Sequence, residues 1–226
     1  MRVAIVGGTG DEGFGLAVRL AAAGIDVTIG SRAQERADQA AERAAAIAGA
    51  DVGGAENPKA VADAEIVFVT VPYEGQAATY RGLKEHWPEG LVVCDTTTPL
   101  ATAVGGRPTQ VIRPWHGSAA EQARALLPRT VQLVAGFHTV AAEPLTDHPH
   151  PVDADVFLCG SDDEDKARVG ELVELIPGMR WVDCGPLEVA RILEPITAVL
   201  ISVNRRYGIK DGGFRMTGRE AWGRPS

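Results

Sequence analysis

The residues whose spacing most strongly indicates chemistry are three glycines near the N-terminus, Gly8, Gly10 and Gly13. They follow a short apolar run at 2–6 and precede a stretch with helical periodicity at 16–21. Between a strand and a helix, G-x-G-x-x-G spacing allows a tight turn and close approach of the backbone to a pyrophosphate. The anion would lie at the positive end of the helix. We therefore expect a dinucleotide to contact Gly8, Thr9, Gly10, Asp11, Glu12 and Gly13.

The end of the second predicted strand indicates which dinucleotide is bound. An NAD enzyme of this type usually has an acidic residue there, which binds the ribose 2′-hydroxyl. This sequence instead has Ser31 and Arg32, with Arg36 one helical turn further on. A hydroxyl and two guanidinium groups suit a 2′-phosphate, so the pattern favours NADP(H). The alternative is that both arginines belong to the solvated start of a helix.

The order of apolar runs predicts an α/β fold of the Rossmann type, with a doubly wound, mainly parallel sheet and a small, largely helical C-terminal extension. We expect an NADP-binding domain at 1–145 and a smaller α/β extension at 153–226. The runs at 66–71, 91–95 and 131–140 are strands of this sheet. Their carboxyl ends would line the ligand crevice, where Thr97 and His138 are expected.

Several segments resemble the NADPH-dependent coenzyme F420 reductases, also called F420-dependent NADP oxidoreductases. They are the runs at 7–10, 15–17, 30–32, 117–121 and 137–139, together with Gly13. The resemblance extends to about Phe214 and implies reversible hydride transfer between NADP(H) and coenzyme F420. It places the turn Val71, Pro72 and Tyr73 near the adenosine and the nicotinamide ribose. It also places Phe137 and His138 against nicotinamide and deazaflavin.

Two features bear on the acceptor. His138 would position a carbonyl or ring nitrogen of the acceptor, unless it is simply a hydrogen-bonded structural histidine. The segment 205–215 is basic, with Arg205, Arg206, Lys210 and Arg215. Since F420 has a phosphate and a polyglutamate tail, we expect Arg206 and Lys210 to bind it. A solvated basic tail is the alternative.

Composition excludes some partners and processes. The formal charge of −8 argues against nucleic acid and anionic membranes, and no apolar run is long enough to span a bilayer. We therefore expect a cytoplasmic protein with small-molecule partners. Cys94, Cys159 and Cys184 lack metal-binding spacing and are expected as buried thiols. His148 and His150 match no zinc pattern, so no metal is expected.

The stretch 187–207 is apolar on almost every helical face, which predicts a helix buried against this chain or a partner. We expect a homodimer. The absence of an acid–base constellation favours hydride exchange between two rings over alcohol dehydrogenation. Two other functions stay open: an NADPH-dependent reductase of another small acceptor (imine, flavin or carbonyl), and a non-catalytic NADP-binding sensor.

Overall fold

The computed structural model describes residues 1–218, which form one twisted sheet covered by helices on both faces. The strands are β1 (Arg2–Val6), β2 (Asp26–Ser31), β3 (Gly53–Glu56), β4 (Ile66–Val69), β5 (Val92–Asp95), β6 (Gln132–Ala135), β7 (Asp155–Gly160) and β8 (Arg180–Asp183). The helices are α1 (Asp11–Ala22), α2 (Gln34–Ala48), α3 (Asn57–Ala62), α4 (Tyr73–Gly82), α5 (Ala119–Leu126), α6 (Ala142–Thr146), α7 (Asp163–Glu174) and α8 (Ala190–Tyr207). Short 3-10 helices lie at Ala101–Val104 and Leu187–Val189.

The strand order confirms the predicted Rossmann-type fold. Eight strands run β3-β2-β1-β4-β5-β6-β7-β8. Neighbouring strands pair in parallel except β6 and β7, which are antiparallel. The chain moves outward from β1 to β3 and then returns to place β4 on the other side of β1, so the topological switch point lies between β1 and β4.

The C-terminal extension contributes strands as well as helices. Strands β7 and β8 continue the same sheet, and α7 connects them. The division into 1–145 and 153–226 remains a prediction, and residues 219–226 of the second part lie outside the described residues.

Strand β3 was not predicted, because its sequence is Gly-Gly-Ala-Glu. Glycine disfavours isolated strands. Here Gly54 pairs with Ile29 of β2 and passes so close to α2 that a Cβ would lie 2.8 Å from the backbone nitrogen of Asp38. Tight packing against α2 therefore explains a glycine in this strand.

The core has a layer on each face of the sheet. Ile5, Phe68 and Leu158 belong to the layer beside α1 and α7. Val67 and Val93 belong to the opposite layer, beside α4, α5 and α8. Successive residues of the parallel strands thus enter opposite layers, which explains their almost continuous apolar runs. Cys94 and Cys159 are buried, Cys184 is half-buried, and all three are free thiols.

Helix α8 is not buried on all sides as the sequence suggested. Its face toward the sheet contains buried Leu193, Glu194 and Ala198. Large apolar side chains on its other side remain accessible: Ile192 is 68% exposed, Val199 53% and Val203 42%. Burial within this one chain therefore does not account for the apolar character of the helix. Within residues 1–218, no helix is both long and apolar enough to cross a membrane.

An ion-pair cluster holds the segment after α8 to the sheet. Asp155 is fully buried and accepts hydrogen bonds from Arg180 Nε at 2.8 Å, Arg215 Nη1 at 2.6 Å and the Met216 amide at 2.8 Å. Burial alone would raise the pKa of Asp155, but these donors lower it below its ordinary value. Arg215 also pairs with Asp153. Arg215 therefore has a structural role and is not a free cation for an acceptor.

Replacing this buried carboxylate should destabilise the fold. We expect Asp155→Asn to lower the free energy of unfolding by about 3 kcal/mol at pH 7, because the guanidinium groups lose their buried partner. The difference from wild type should disappear only as the pH falls below about 3.9, where Asp155 also becomes protonated. Urea unfolding measures the change. Asp153→Asn is the matched control, since the Asp153 side chain is 89% exposed; equal losses in the two variants would contradict this interpretation.

Candidate functional site

A cleft of about 700 Å³ lies at the carboxyl ends of β1, β2 and β4. It occupies the topological switch point, where ligands bind in sheets of this kind. Seven of the residues predicted from the sequence line it: Thr9, Gly10, Ser31, Arg32, Arg36, Val71 and Pro72.

The glycine-rich loop forms the floor of the cleft and begins with a tight turn. Gly7 has a φ of +85°, and the amide of Gly10 donates to the carbonyl of Gly7 at 2.9 Å. A Cβ at Gly13 would collide with Thr70 Oγ1, and one at Gly8 would lie 2.9 Å from the carbonyl oxygen of Ile5. Gly8 and Gly13 therefore allow α1 to pack closely on the sheet.

Gly10 has a different role from the other two glycines. It is exposed at the N-cap of α1, and a Cβ there would meet no atom closer than 3.4 Å. The fold itself has room for a side chain at this position. Because Gly10 has no side chain, the start of α1 is open to an anion, which fits a pyrophosphate. Asp11 is exposed in the first turn beside it.

The end of β2 provides a cationic wall. Ser31 is 7% exposed, whereas the side chains of Arg32 and Arg36 are exposed beside it. Within residues 1–218 neither guanidinium takes part in an ion pair, so both are available to a ligand. This arrangement fits a 2′-phosphate, since a phosphate accepts hydrogen bonds from guanidinium groups.

Sequence reasoning missed the opposite wall of the cleft. Asn57 and Pro58 at the start of α3, and Ala78 and Gly82 on α4, line it. Small side chains on α4 leave room for a flat ring. The Asn57-Pro58 pair indicates the start of α3. That this helix start borders the cleft depends on β3, which was not predicted from the sequence.

Further along the sheet, His138 lies just beyond the carboxyl end of β6. It is 4% exposed, and neither ring nitrogen has a hydrogen-bond partner of normal geometry within the described residues. Burial lowers the pKa of His138 to about 4, with a small opposing effect from the Thr97 backbone. The imidazole is therefore neutral near pH 7, with polar nitrogens that a ligand could satisfy.

The turn before His138 is conformationally unusual. Phe137 has a φ of +69°, which is rare for a residue other than glycine. Its ring is 2% exposed and packs edge-on against Phe68, with centroids 5.6 Å apart. The Phe137 side chain therefore belongs to the core and orients the turn. Thr197 Oγ1 donates to the carbonyl of His138 at 2.7 Å and fixes the backbone of the turn at His138.

A buried hydrogen-bond network holds the exit of β5. Asp95 is fully buried and accepts from Tyr80 Oη at 2.7 Å, Gln76 Nε2 at 3.0 Å and the Thr97 amide at 3.0 Å. Burial raises the pKa of Asp95, and these three donors partly oppose the shift. The network thereby fixes the backbone of Thr97 beside His138.

The same network extends to Tyr73. Its hydroxyl donates to Gln122 Oε1 at 3.1 Å, and Gln122 Nε2 donates to Gln76 Oε1 at 2.8 Å. Tyr73 is thus anchored to α5 and does not line the cleft.

Glu12 is a predicted loop residue with an unexpected environment. Its side chain is half-buried and accepts a hydrogen bond from Thr96 Oγ1 at 3.1 Å. Burial raises the pKa of Glu12 to about 8, the Thr96 hydrogen bond opposes this, and the nearby Asp95 adds to it.

The predicted acceptor residues Arg206 and Lys210 lie away from the cleft. Arg206 is exposed near the end of α8. Lys210 Nζ lies 3.6 Å from Glu143 Oε2. Neither residue lines the cleft or contacts His138, so their role in binding F420 stays a prediction.

A Rossmann-type sheet with an open glycine loop and two free arginines after β2 defines the class of NADP-dependent oxidoreductases. Comparisons with known proteins are consistent with this class. Residues 2–99 match the family described as NADP oxidoreductase, coenzyme F420-dependent. The chain is 42% identical over 225 residues to the F420-dependent NADP reductase of Methanocaldococcus jannaschii, covering 97% of this chain and all of that protein.

Two further relatives agree. The F420-dependent NADP reductase of Methanothermobacter thermautotrophicus is 42% identical over 222 residues, covering 96% of this chain and 95% of that protein. A crystal structure from Arthrobacter sp. FB24, provisionally assigned as an F420-dependent NADP reductase, superimposes with a TM-score of 0.82 at 25% identity, covering 96% of this chain and all of that one. The chain belongs to the F420-dependent NADP reductase family.

The cationic wall generates a direct test of nucleotide selectivity. We expect Arg32→Ala to weaken NADPH binding by about 1–3 kcal/mol, because it removes a charge-assisted contact to the 2′-phosphate. NADH binding should barely change, since that nucleotide lacks the phosphate. Titration followed by nicotinamide fluorescence measures both. An equal loss for the two nucleotides would refute the assignment of Arg32.

Proposed function

We propose that this chain is an oxidoreductase that transfers a hydride reversibly between NADP(H) and coenzyme F420. The observation that carries the proposal is near-full-length similarity, at 42% identity, to proteins named F420-dependent NADP reductase. Arg32 directly after β2 and Arg36 on α2, which form no ion pair within residues 1–218, support NADP(H) as one of the two cofactors.

We assign the cleft as the NADP(H) site. Ser31, Arg32 and Arg36 hold the 2′-phosphate. Thr9 and Gly10, together with the amides at the start of α1, hold the pyrophosphate. Gly8 and Gly13 act indirectly by setting the shape of the loop. The nicotinamide half then extends over the ends of β4 and β5, past Val71 and Pro72 and toward Thr97 and His138.

The chemistry that the bound cofactors supply is hydride transfer between C4 of the nicotinamide and C5 of the deazaflavin. The protein contributes alignment of the two rings and exclusion of water. His138 suits a positioning role, because a histidine with a pKa of about 4 stays neutral at working pH and can hydrogen-bond a ring. Neither a metal nor a protein nucleophile is part of this proposal.

The reaction is tested by mixing the protein with NADPH and oxidised F420 and following the visible absorbance of the deazaflavin. We expect bleaching with NADPH, and far slower bleaching with NADH, which lacks the 2′-phosphate. A free flavin in place of F420 is the control for acceptor choice. If NADPH binds but F420 is not bleached, the assignment fails, and another acceptor or a sensing role takes its place.

We further propose that the chain forms a homodimer through the apolar stripe of α8. The stripe consists of Ile192, Ile196, Val199 and Val203, which follow one another at intervals of four, three and four residues. This spacing is typical of a seam between two helices. A second copy would offer the same stripe about a two-fold axis. The cytoplasmic location expected from the sequence stays a prediction.

A charge placed in the stripe should prevent dimer formation. We expect Val203→Glu to give a monomer by size-exclusion chromatography with light scattering, because two buried carboxylates would face each other. Ser202→Glu is the matched control, as it adds the same charge at an exposed position on a different face of the helix. A wild-type protein that is already monomeric would contradict the proposal, as would a Val203→Glu dimer.

A further inference from the structure

Glu12 has a placement that the hydride-transfer chemistry described above does not use. It lies in the first turn of α1, next to the glycine loop, yet its carboxylate reaches Thr96 directly after β5. Since β4 lies between β1 and β5, the side chain spans the carboxyl end of β4.

The sheet order places Glu12 along the length of a bound dinucleotide. The 2′-phosphate residues lie at the end of β2, and the pyrophosphate loop follows β1. Thr97 and His138 lie beyond β5 and β6. A dinucleotide that crosses the switch point in this direction puts its nicotinamide ring on the side where Glu12 contacts Thr96.

The oxidised nicotinamide ring is positively charged and the reduced ring is neutral. We propose that Glu12 lies against the nicotinamide half of the bound dinucleotide and favours the oxidised ring when ionised and the reduced ring when protonated. Glu12 is then a redox-linked proton site and a positioning residue for nicotinamide. This inference rests on the proposed NADP(H) site.

The proton count is consistent with the overall reaction. NADPH + F420 + H⁺ gives NADP⁺ + F420H₂, so one proton is consumed as the ring becomes positive. Glu12 releases a proton to the solvent when the ring becomes positive and takes one back when NADP⁺ leaves, so the net uptake of one proton by the acceptor is unchanged.

The surroundings of Glu12 allow it to ionise near physiological pH. Its half-buried carboxyl has a pKa of about 8, and it pairs with no cation within residues 1–218. Asp95 and Cys94 on β5 interact electrostatically with Glu12, and burial raises the pKa of each. A positive ring would be the missing counter-charge and would lower the pKa of Glu12.

Charged groups on the other elements around α1 form no ion pair with Glu12 within residues 1–218. On α2, Arg36 belongs to the cationic wall of the cleft. On α6, Glu143 lies near Lys210, and Asp147 is near Arg19 at the far end of α1. On α2, Arg43 stacks over the ring of Phe14 at 4.9 Å. Asp11, on the same turn as Glu12, is exposed.

One other carboxyl would ionise in the same pH range. Glu194 on α8 also has a pKa raised by burial to about 8, but it accepts from the amides of Ala119 and Ala120 at the start of α5. The test therefore needs variants that act on Glu12 alone.

The test measures the dissociation constants of NADP⁺ and NADPH from pH 6.5 to 9.5, by calorimetry and without F420. The 2′-phosphate and pyrophosphate are common to both ligands. The ratio of the two dissociation constants therefore reports the effect of the charge on the nicotinamide ring. We expect NADP⁺ to gain on NADPH as the pH rises toward about 8 and the ratio to level off above it, with a total change of about tenfold for each unit by which the ring lowers the pKa of Glu12. Calorimetry in buffers of different ionisation enthalpy should also detect proton release with NADP⁺.

Variants make the assignment specific. Glu12→Gln should abolish both the pH dependence of the ratio and the proton release. Thr96→Val removes the hydrogen bond that favours the carboxylate and should move the midpoint to higher pH. Asp26→Asn removes an exposed acid at the amino end of β2, at the edge of the sheet opposite the cleft, and should keep the wild-type midpoint.

A ratio that is flat in wild type, or that changes equally with pH in Glu12→Gln, would overturn the inference. Failure of the Glu12 inference can be distinguished from failure of the proposed function. A flat ratio in a protein that bleaches F420 refutes only the role of Glu12. A pH-dependent ratio in a protein that does not bleach F420 refutes only the acceptor.

Discussion

The site depends on how closely α1 approaches the sheet. The absence of a side chain at Gly13 brings the helix against Thr70, and the turn at Gly7 and Gly8 directs its N-terminus over the carboxyl edge. A methyl group at Gly13 would collide with Thr70 and displace the helix. Because the N-terminus is an anion site only where it faces the crevice, this packing sets where the pyrophosphate would bind in the proposed NADP(H) site. In the proposed site, the cationic wall after β2 and the region beyond β5 then lie at the two ends of the dinucleotide.

The buried polar side chains around the exits of β5 and β6 are of two kinds. Some have complete hydrogen bonds within the protein, and others could be completed by a ligand. Asp95 and Glu194 each accept hydrogen bonds from the protein and so stabilise the exits of β5 and α5. His138 and Glu12 are less completely satisfied. The ring nitrogens of His138 have no hydrogen-bond partner of normal geometry within residues 1–218, and Glu12 has one hydroxyl donor. Buried polar groups are usually hydrogen-bonded, so incomplete satisfaction at the edge of a crevice is a reason to expect a ligand there.

Much of the fold was predictable from local sequence, but side-chain environments were not. The apolar runs gave most of the strands, and Gly8, Gly10 and Gly13 gave the loop, because those signals depend on neighbouring residues. Strand β3 was missed since its pairing with β2 is non-local and its glycines serve contact with α2. The structural pairing of Arg215 was not predictable, because its partners Asp153 and Asp155 are about 60 residues away. The environment of Glu12 depends equally on a distant residue, Thr96.

The proposed reaction requires that hydride pass directly from one ring to the other within this protein. The most direct measurement uses NADPH labelled with deuterium at C4, in each of its two stereoisomers, with oxidised F420 in ordinary water. We expect one isomer to deliver its deuterium to C5 of the deazaflavin, a carbon-bound position that mass spectrometry or NMR detects. Reduced F420 without label from either isomer would contradict direct transfer, and so would label that appears in the solvent.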